Sequence, residues 1–489
     1  MNVFDYFFEK NSLLDNKFLT GNEEISFRDL YSSSLGLSSW LRNEIGTGKN
    51  VIILSANNLF FIKTYLAILK SGNVCIPLDP NIERDNFTYI ATLTKPEIIF
   101  ISSDLYMKLP VQGYRNITPD KLPAQDGLLP GKDGTDTVTT DTCAEIIFTS
   151  GSTGKPKGVM ISHGNIIANT ASILEYLELT PNDRMLVVLP FYYCYGLSLL
   201  HTHLRAGGSI VLNNSFMFLG TVINNLIRYS CTGFAGVPTH FQILMRMSDT
   251  FRNTRFPSLR YVTQAGGKLA TVFIDEFRQS FPDVRFFVMY GQTEATARLS
   301  YLPPEVYEKK KGSMGKGIPG VELRVVNSSG EDIKPGETGE VIARGGNIML
   351  GYYADEESTR KSLRDGWLWT GDLGEVDSDG FIYLTARKNE IIKVRGKRIS
   401  PKEIEAVILQ LPEVVDCSVE GVEDLIEGEA LKATIVVKEG MTGSISEDLV
   451  KKHCAKSLAQ FKIPSIYEFR KNITMSPTGK KIRQAEVKH

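Results

Sequence analysis

Ile146-Ile-Phe-Thr-Ser-Gly-Ser-Thr-Gly-Lys-Pro-Lys-Gly-Val159 sets an apolar run directly before hydroxyls and glycines that close on two lysines. The run reads as a buried strand and the segment after it as a loop built to hold phosphate. Glycines let backbone N–H groups converge on an anion, the hydroxyls of Thr149, Ser150, Ser152 and Thr153 add donors, and Lys155 or Lys157 supplies positive charge. It is not a Walker A loop, because no Gly-Lys-[Ser/Thr] follows a four-residue gap after a glycine. Standing alone, the segment is equally a Gly/Ser turn with solvated lysines, so its meaning rests on what surrounds it.

Working outward, short β-branched or apolar runs at 51–54, 98–101, 146–148, 186–189, 210–212 and 286–289 alternate with amphipathic stretches, a pattern that predicts α/β architecture with largely buried strands. Between the first two, residues 59–69 carry Phe61, Tyr65, Leu66 and Leu69 at helical spacing and predict a core-facing helix. Residues 110–142, rich in Pro, Gly, Asp and Thr, read as a surface connection, and 302–320 as a second Pro/Gly/Lys passage. Past about residue 325 short strands with Gly turns (321–326, 340–344) predict a small β subdomain. Near 387 a charged Arg-Lys-Asn-Glu stretch marks the start of a C-terminal domain of about a hundred residues.

Bulk properties narrow the classes. With 489 residues the chain has material for more than one core, and 42% hydrophobic with 23% charged residues describes an ordinary globular protein. A net charge of −1 gives no global electrostatic reason to expect nucleic acid or an acidic membrane. The six cysteines lack any Cys-x-x-Cys or Cys/His metal spacing and read as reduced apolar fillers. Neither a secretory signal nor an apolar run long enough to span a bilayer is present, so a cytoplasmic enzyme without a transmembrane segment is expected.

Three further stretches carry chemistry. Val288-Met-Tyr-Gly-Gln-Thr-Glu-Ala-Thr296 ends a buried strand in a turn bearing Thr293 and Glu294. Ligands of α/β folds sit at the carboxyl ends of strands, so Glu294 is placed to hold Mg²⁺ against nucleotide phosphates and Tyr290 to stack on a base. Trp369-Thr-Gly-Asp-Leu373 presents Asp372 as an acceptor for ribose hydroxyls, with Arg387 in support. Met475-Ser-Pro-Thr-Gly-Lys-Lys-Ile482 projects Lys480 from the tail. Taken singly these are a strand-terminal Glu facing water, a common β-turn and a solvated lysine.

Together and in this order, the four stretches resemble the adenylate-forming enzymes of the AMP-binding superfamily: acyl- and aryl-CoA synthetases, adenylation domains of peptide synthetases and beetle luciferases. Ile76-Pro-Leu-Asp-Pro80, Gly236-Val-Pro238, Ala265-Gly-Gly267, Gly336-Glu-Thr-Gly-Glu340, Gly351-Tyr-Tyr353 and Ile391-Ile-Lys-Val-Arg-Gly396 fit as well, so the resemblance runs from Ile25 to Lys480. It implies a large N-terminal domain of stacked α/β subdomains plus a small β subdomain (1–386), a hinge (387–390) and a mobile α+β C-terminal domain (391–489).

The resemblance to the acyl-CoA synthetase, or carboxylate–thiol ligase, branch implies that a carboxylate attacks the α-phosphate of MgATP and that a thiol then displaces AMP. On this chain Thr149, Ser150, Gly151, Ser152, Thr153, Gly154 and Lys157 would enclose the outer phosphates, and Glu294 with Thr149 would contact the metal beside Thr293. Gly266, Gly267 and Tyr290 would line the adenine slot, Lys268 and Gly291 would also bind the nucleotide, and Asp372 and Arg387 would hold the ribose. Lys480 would touch both the acid and the α-phosphate. The hinge falls on Asn389 and the thiol-acceptor face on Lys393, Arg395, Gly396 and Lys397. Relatives usually carry Asp or Lys at the hinge and Gly before the Arg, where this chain has Asn389 and Ala386.

The acid pocket maps onto Tyr192, Tyr193, Cys194 and Gly196, with Val237 and Gly266 opposite. Residues 190–200 contain no acidic side chain to pair an ammonium group, which argues against an amino acid. Tyr193 is the expected gate, with Cys194 and Gly196 giving space for a fatty or aryl acid. Coenzyme A, or the phosphopantetheine of an acyl carrier protein, is the expected acceptor, and a luciferase-like oxidoreductase shares the same motifs.

Overall fold

The computed structural model describes residues 1–109, 111–123, 138–149, 155–394, 397–424, 428–441 and 444–471. Among these, strands of the first part of the chain build a nine-stranded and a seven-stranded sheet. In the larger sheet Lys17–Thr20, Ser209–Leu212, Arg184–Val187, Gly233–Gly236, Tyr261–Gln264 and Arg285–Tyr290 lie parallel, with antiparallel strands at the edges. In the smaller, Val74–Leu78, Asn50–Leu54 and Ile98–Ile101 are parallel and the hairpin Cys143–Thr149/Lys157–Ser162 is antiparallel. Helices cover these strands, which is why the runs at 51–54 and 98–101 are apolar at successive positions rather than alternating.

The helix expected over 59–69 spans Leu59–Ser71. Asn58 caps it by accepting from the Phe61 N–H at 2.8 Å, and Gly72 ends it in the left-handed conformation at φ 78°. Phe61, Tyr65, Leu66 and Leu69 are buried in a core cluster that also takes in Val187, Phe287 and the helices His163–Leu177 and Cys194–Ala206, so a single apolar layer fuses both sheets. A polar thread crosses that layer: the Tyr65 hydroxyl is 2.8 Å from the Glu145 carboxylate and 2.7 Å from His201 Nε2. Burial pushes the Glu145 carboxyl up to about 7 and the His201 imidazole down to about 3.

Beyond residue 320 a five-stranded sheet holds Val321–Val326, Gly339–Gly345, Trp367–Val376 and Ile382–Arg387, the β subdomain expected there. A 3₁₀ turn, Lys388–Glu390, follows, and then the pairs Ile392–Val394/Lys397–Ile399 and Val414–Asp424/Gly428–Val437, the latter extended by Ile466–Arg470. The passage 110–142, where described, includes the edge strand Asn116–Ile117. No helix among the described residues is long and apolar enough to cross a membrane.

Candidate active site

The hairpin that carries the phosphate-loop stretch places Thr149 opposite Lys157, with the Thr149 hydroxyl 3.5 Å from the Lys157 carbonyl. Ser150, Gly151, Ser152, Thr153 and Gly154, between them, lie outside the described residues. Lys157 Nζ donates to Ser358 Oγ at 2.5 Å, lies 3.6 Å from the Asp355 carboxylate and sits 5.4 Å above the Tyr352 ring.

Tyr352 then links this stem to the second stretch. Its strand, Gly351–Tyr352, pairs with Lys157–Ser162, and its hydroxyl donates to Glu294 Oε1 at 2.8 Å. Burial and then the Glu294 carboxylate push the phenol pKa up. Glu294 sits in the 3₁₀ turn Thr293–Ala295 at the carboxyl end of the strand Arg285–Tyr290. The chain doubles back sharply there: a Cβ on Gly291 would lie 1.9 Å from the Ala297 carbonyl oxygen, so only glycine fits. Thr293 is buried, its hydroxyl 3.5 Å from Cys194 Sγ at the start of the helix Cys194–Ala206.

On the other flank Asp372 and Arg387 are cross-strand partners, and Arg387 Nε donates to Asp372 Oδ1 at 2.7 Å. The Tyr290 hydroxyl donates to the second oxygen at 2.6 Å. Burial and the Asp372 carboxylate push the Tyr290 phenol up, while Asp372 is the main reason Arg387 is pushed above its usual value. Glu340 braces the turn by accepting from the Gly371 N–H at 3.0 Å, and Lys388 pairs with its other oxygen.

The Gly266-Gly267 turn follows the strand Tyr261–Gln264, and Gln264 Nε2 donates to the Gly267 carbonyl at 2.8 Å. Lys268 Nζ donates to the Leu384 carbonyl at 2.9 Å, and burial, aided by Lys402, lowers its pKa. Two buried amide atoms, Gln264 Oε1 and Gln292 Nε2, have no hydrogen-bond partner among the described residues. Both lie beside the strand ends, where a ligand could pair them; Asn116 Oδ1 and Asn347 Oδ1 likewise have no partner among the described residues.

Of the residues expected around the acid, Val237 is fully buried ahead of the helix Pro238–Arg246. Tyr193 is half-buried at the N-terminus of the Cys194 helix, and burial followed by Asp79 pushes the Tyr192 phenol up. The space expected beside Gly196 is absent. A Cβ there would stand 2.0 Å from the Pro190 carbonyl oxygen, so the glycine lets the turn close on the helix rather than opening the pocket.

In the C-terminal part Asn389 occupies the 3₁₀ turn, Lys393 is exposed and its N–H donates to the Glu429 carboxylate at 2.6 Å, and Lys397 Nζ lies 3.9 Å above the Phe461 ring. Arg395, Gly396 and Lys480 lie outside the described residues. In the sequence Tyr352 stands out only within Gly351-Tyr-Tyr353, since nothing local tells that it reaches Glu294.

This arrangement defines an adenylate-forming fold, and comparison places it. The chain belongs to the AMP-binding enzyme family: it matches that family over residues 9–353 and the AMP-binding enzyme C-terminal domain over residues 403–480. It is 29% identical over 465 residues to an oxalate–CoA ligase of Arabidopsis thaliana, covering 91% of this chain and 89% of that protein. The structure of o-succinylbenzoate CoA synthetase from Bacillus subtilis with its acyl-adenylate intermediate superposes with a TM-score of 0.85 at 25% identity, over 100% of this chain and 98% of that one. The same Bacillus protein solved with ATP and magnesium ion gives a TM-score of 0.85 over 98% of each chain.

Proposed function

We propose that this protein joins a carboxylic acid to AMP at the expense of ATP and passes the acyl group to coenzyme A. An oxygen of the acid attacks the α-phosphorus, the bond to the bridging oxygen breaks and pyrophosphate leaves. The thiolate sulfur then attacks the acyl carbon and AMP departs. The observation that carries this reading is the linkage, through Tyr352, of the Thr149/Lys157 stem to Glu294, on the strand end that also supplies Tyr290 to Asp372.

Each residue has a physical task in it. Asp372 uses one lone pair of each oxygen on Arg387 and Tyr290, which leaves one on each for the two ribose hydroxyls and fixes their direction. Gln264 Oε1 and Gln292 Nε2 are the unpaired groups available to the base or the acid. Oxygen donors suit magnesium, so Glu294 with Thr149 would hold the ion, which when bound neutralises charge on the phosphates. Tyr352 keeps the Glu294 carboxylate aimed by donating to one of its oxygens. Lys480 would bring positive charge to the acid and α-phosphate together; the barrier to an anion attacking a polyanion is chiefly electrostatic and positional.

The division at 387–390 supports a rotation of the C-terminal domain about Asn389, which would withdraw Lys480 and present Lys393, Arg395, Gly396 and Lys397 to the incoming thiol. A fatty or aryl acid fits the aromatic wall. The acids named for the relatives above, oxalate and o-succinylbenzoate, are transformed with coenzyme A as acceptor in those proteins, which favours coenzyme A over a carrier protein here. A cytoplasmic setting agrees with this chemistry. Pyrophosphate release screened over fatty, aryl and amino acids, with and without coenzyme A, tests the reading: acid-dependent release with thioester formation supports it, and release driven by alanine or glycine overturns the pocket assignment.

A further inference from the structure

Arg298 stands between the Thr293–Ala295 turn and the strand Ser300–Leu302, and only 3% of it is exposed. Its polar neighbours are all neutral. Nε lies 3.3 Å from Met289 Sδ, Nη1 3.4 Å from the Ala297 carbonyl and Nη2 3.5 Å from Ser198 Oγ, the Tyr176 hydroxyl also hydrogen-bonds the group, and the guanidinium carbon is 4.0 Å above the Tyr195 ring. The two contacts to oxygen sit at the long end of the hydrogen-bond range, and among the described residues no ion pair includes Arg298. A guanidinium cannot shed its charge, so a buried one without a counter-ion lacks what normally offsets its desolvation.

The position of that charge is informative. Tyr195 and Ser198 belong to the helix that begins at Cys194, whose sulfur touches Thr293 beside Glu294. Ser198 is one turn further along, roughly 6 Å down the helix axis. The guanidinium of Arg298, which has no carboxylate partner among the described residues, therefore lies about one helical turn along the side assigned above to the acid, away from the end where the carboxylate reacts. A hydrocarbon chain there would lie against an unpaired cation. An anion there gains a charge-assisted, bidentate pair.

We propose that Arg298 receives a second carboxylate of the substrate, so that the acid activated by this protein is a dicarboxylic acid, one end reacting with ATP and the other held by the guanidinium. This rests on the adenylation reading above and revises its fatty or aryl acid to a diacid. Ser198 orients the guanidinium, and Tyr195 and Met289 screen the pair from water.

The test is ATP–pyrophosphate exchange by the full-length protein on matched acids: malonate against propionate, succinate against butyrate, glutarate against valerate, phthalate against benzoate, with octanoate added. At least one diacid is expected to exceed its monoacid partner by about a hundredfold in kcat/KM, because a buried polar site rejects the analogue that leaves it unpaired. Arg298→Leu should erase that preference while ATP binding is unchanged, and Arg298→Lys should restore part of it. Exchange with monoacids at rates equal to or above their diacid partners overturns this inference alone and leaves adenylation standing. Exchange with none of the acids overturns both. Should Arg298→Leu fail to fold, the wild-type panel decides the matter by itself.

Discussion

Arg246 and Arg298 are shut off from solvent to nearly the same degree, 5% and 3% exposed, in opposite surroundings. Arg246 ends the helix Pro238–Arg246 and reaches across to the C-terminal part of the chain. Its Nη1 donates to the carbonyls of Leu409 at 3.0 Å and Leu411 at 2.9 Å and also to that of Val414, and its Nη2 pairs with the Glu276 carboxylate at 2.9 Å. Arg298 has a thioether, a carbonyl, the hydroxyls of Ser198 and Tyr176 and an aromatic face, and no carboxylate among the described residues. The saturated cation holds structure together; the unsaturated one is a site in waiting, because folding alone gives no reason to bury a charge and leave it unpaired.

A third cation gives the comparison its largest contrast. Lys480 acts, on the proposed reading, only where charge develops, so Lys480→Ala should lower ATP–pyrophosphate exchange by roughly 10²–10³ without changing the unfolding midpoint. A rate within about threefold of wild type would remove Lys480 from the reaction. Arg246→Ala belongs at the other pole: it takes a donor from three buried carbonyls, of which that of Leu411 keeps the Val414 N–H, and unpairs Glu276, so a loss of about 3 kcal/mol in urea unfolding is expected. An unfolding curve that overlays the wild type would show that burial with full pairing is not what makes Arg246 structural.

Glu145 extends the contrast to an acid, which unlike a guanidinium can discard its charge. Its carboxyl is pushed from 4.5 up to about 7 by burial. The folded state therefore binds more protons than the unfolded one between these values. Stability from this group is fully present below about 4.5 and is lost as pH rises through about 7, a total of about 3 kcal/mol. His201, pushed down to about 3 by burial, works in the reverse sense below 6.5 and partly masks the trend. The difference between Glu145→Gln and wild type isolates it: the variant should gain on the wild type steadily from pH 4.5 to 7. A difference that stays flat across this window removes Glu145 as a titrating group.

What the sequence disclosed follows the same physical line. The stretches assigned to the nucleotide on the proposed reading were legible, because phosphate and ribose are bound through contiguous short turns, so Thr293-Glu294 and Thr370-Gly371-Asp372 stand out locally. Strand positions were legible from apolar runs, but not their ends: the run at 186–189 stops as a strand at Val187, since the Leu189 carbonyl turns to accept from Asn57 Nδ2 at 2.9 Å. The acid side was not legible. Arg298, Ser198 and Met289 meet from a turn, a helix and a strand, and an arginine after Glu294-Ala-Thr-Ala297 has the look of a solvated residue. Gly196 misled for a related reason, since a glycine that makes room for a backbone carbonyl is indistinguishable in sequence from one that makes room for a ligand.

The smallest expected effect is the one that separates the two arginines by sign. Replacing Arg298 with leucine removes a buried charge and installs an apolar side chain among Met289, Tyr195 and Ala297, leaving a carbonyl, a serine hydroxyl that already donates to the Tyr195 carbonyl at 2.7 Å and the Tyr176 hydroxyl, which keeps Met289 Sδ at 3.0 Å. The desolvation penalty disappears and little pairing is lost, so Arg298→Leu should raise the stability of the ligand-free protein by about 1 kcal/mol, against the loss for Arg246→Ala. Adding a diacid substrate that fits should reverse the order, stabilising the wild type more than the variant in proportion to occupancy. Thermal denaturation with and without succinate in the presence of AMP reads both signs. A ligand-free Arg298→Leu protein that melts well below wild type would mean that the thioether, hydroxyl and ring contacts already satisfy the guanidinium, and the two arginines would then differ only in what they hold.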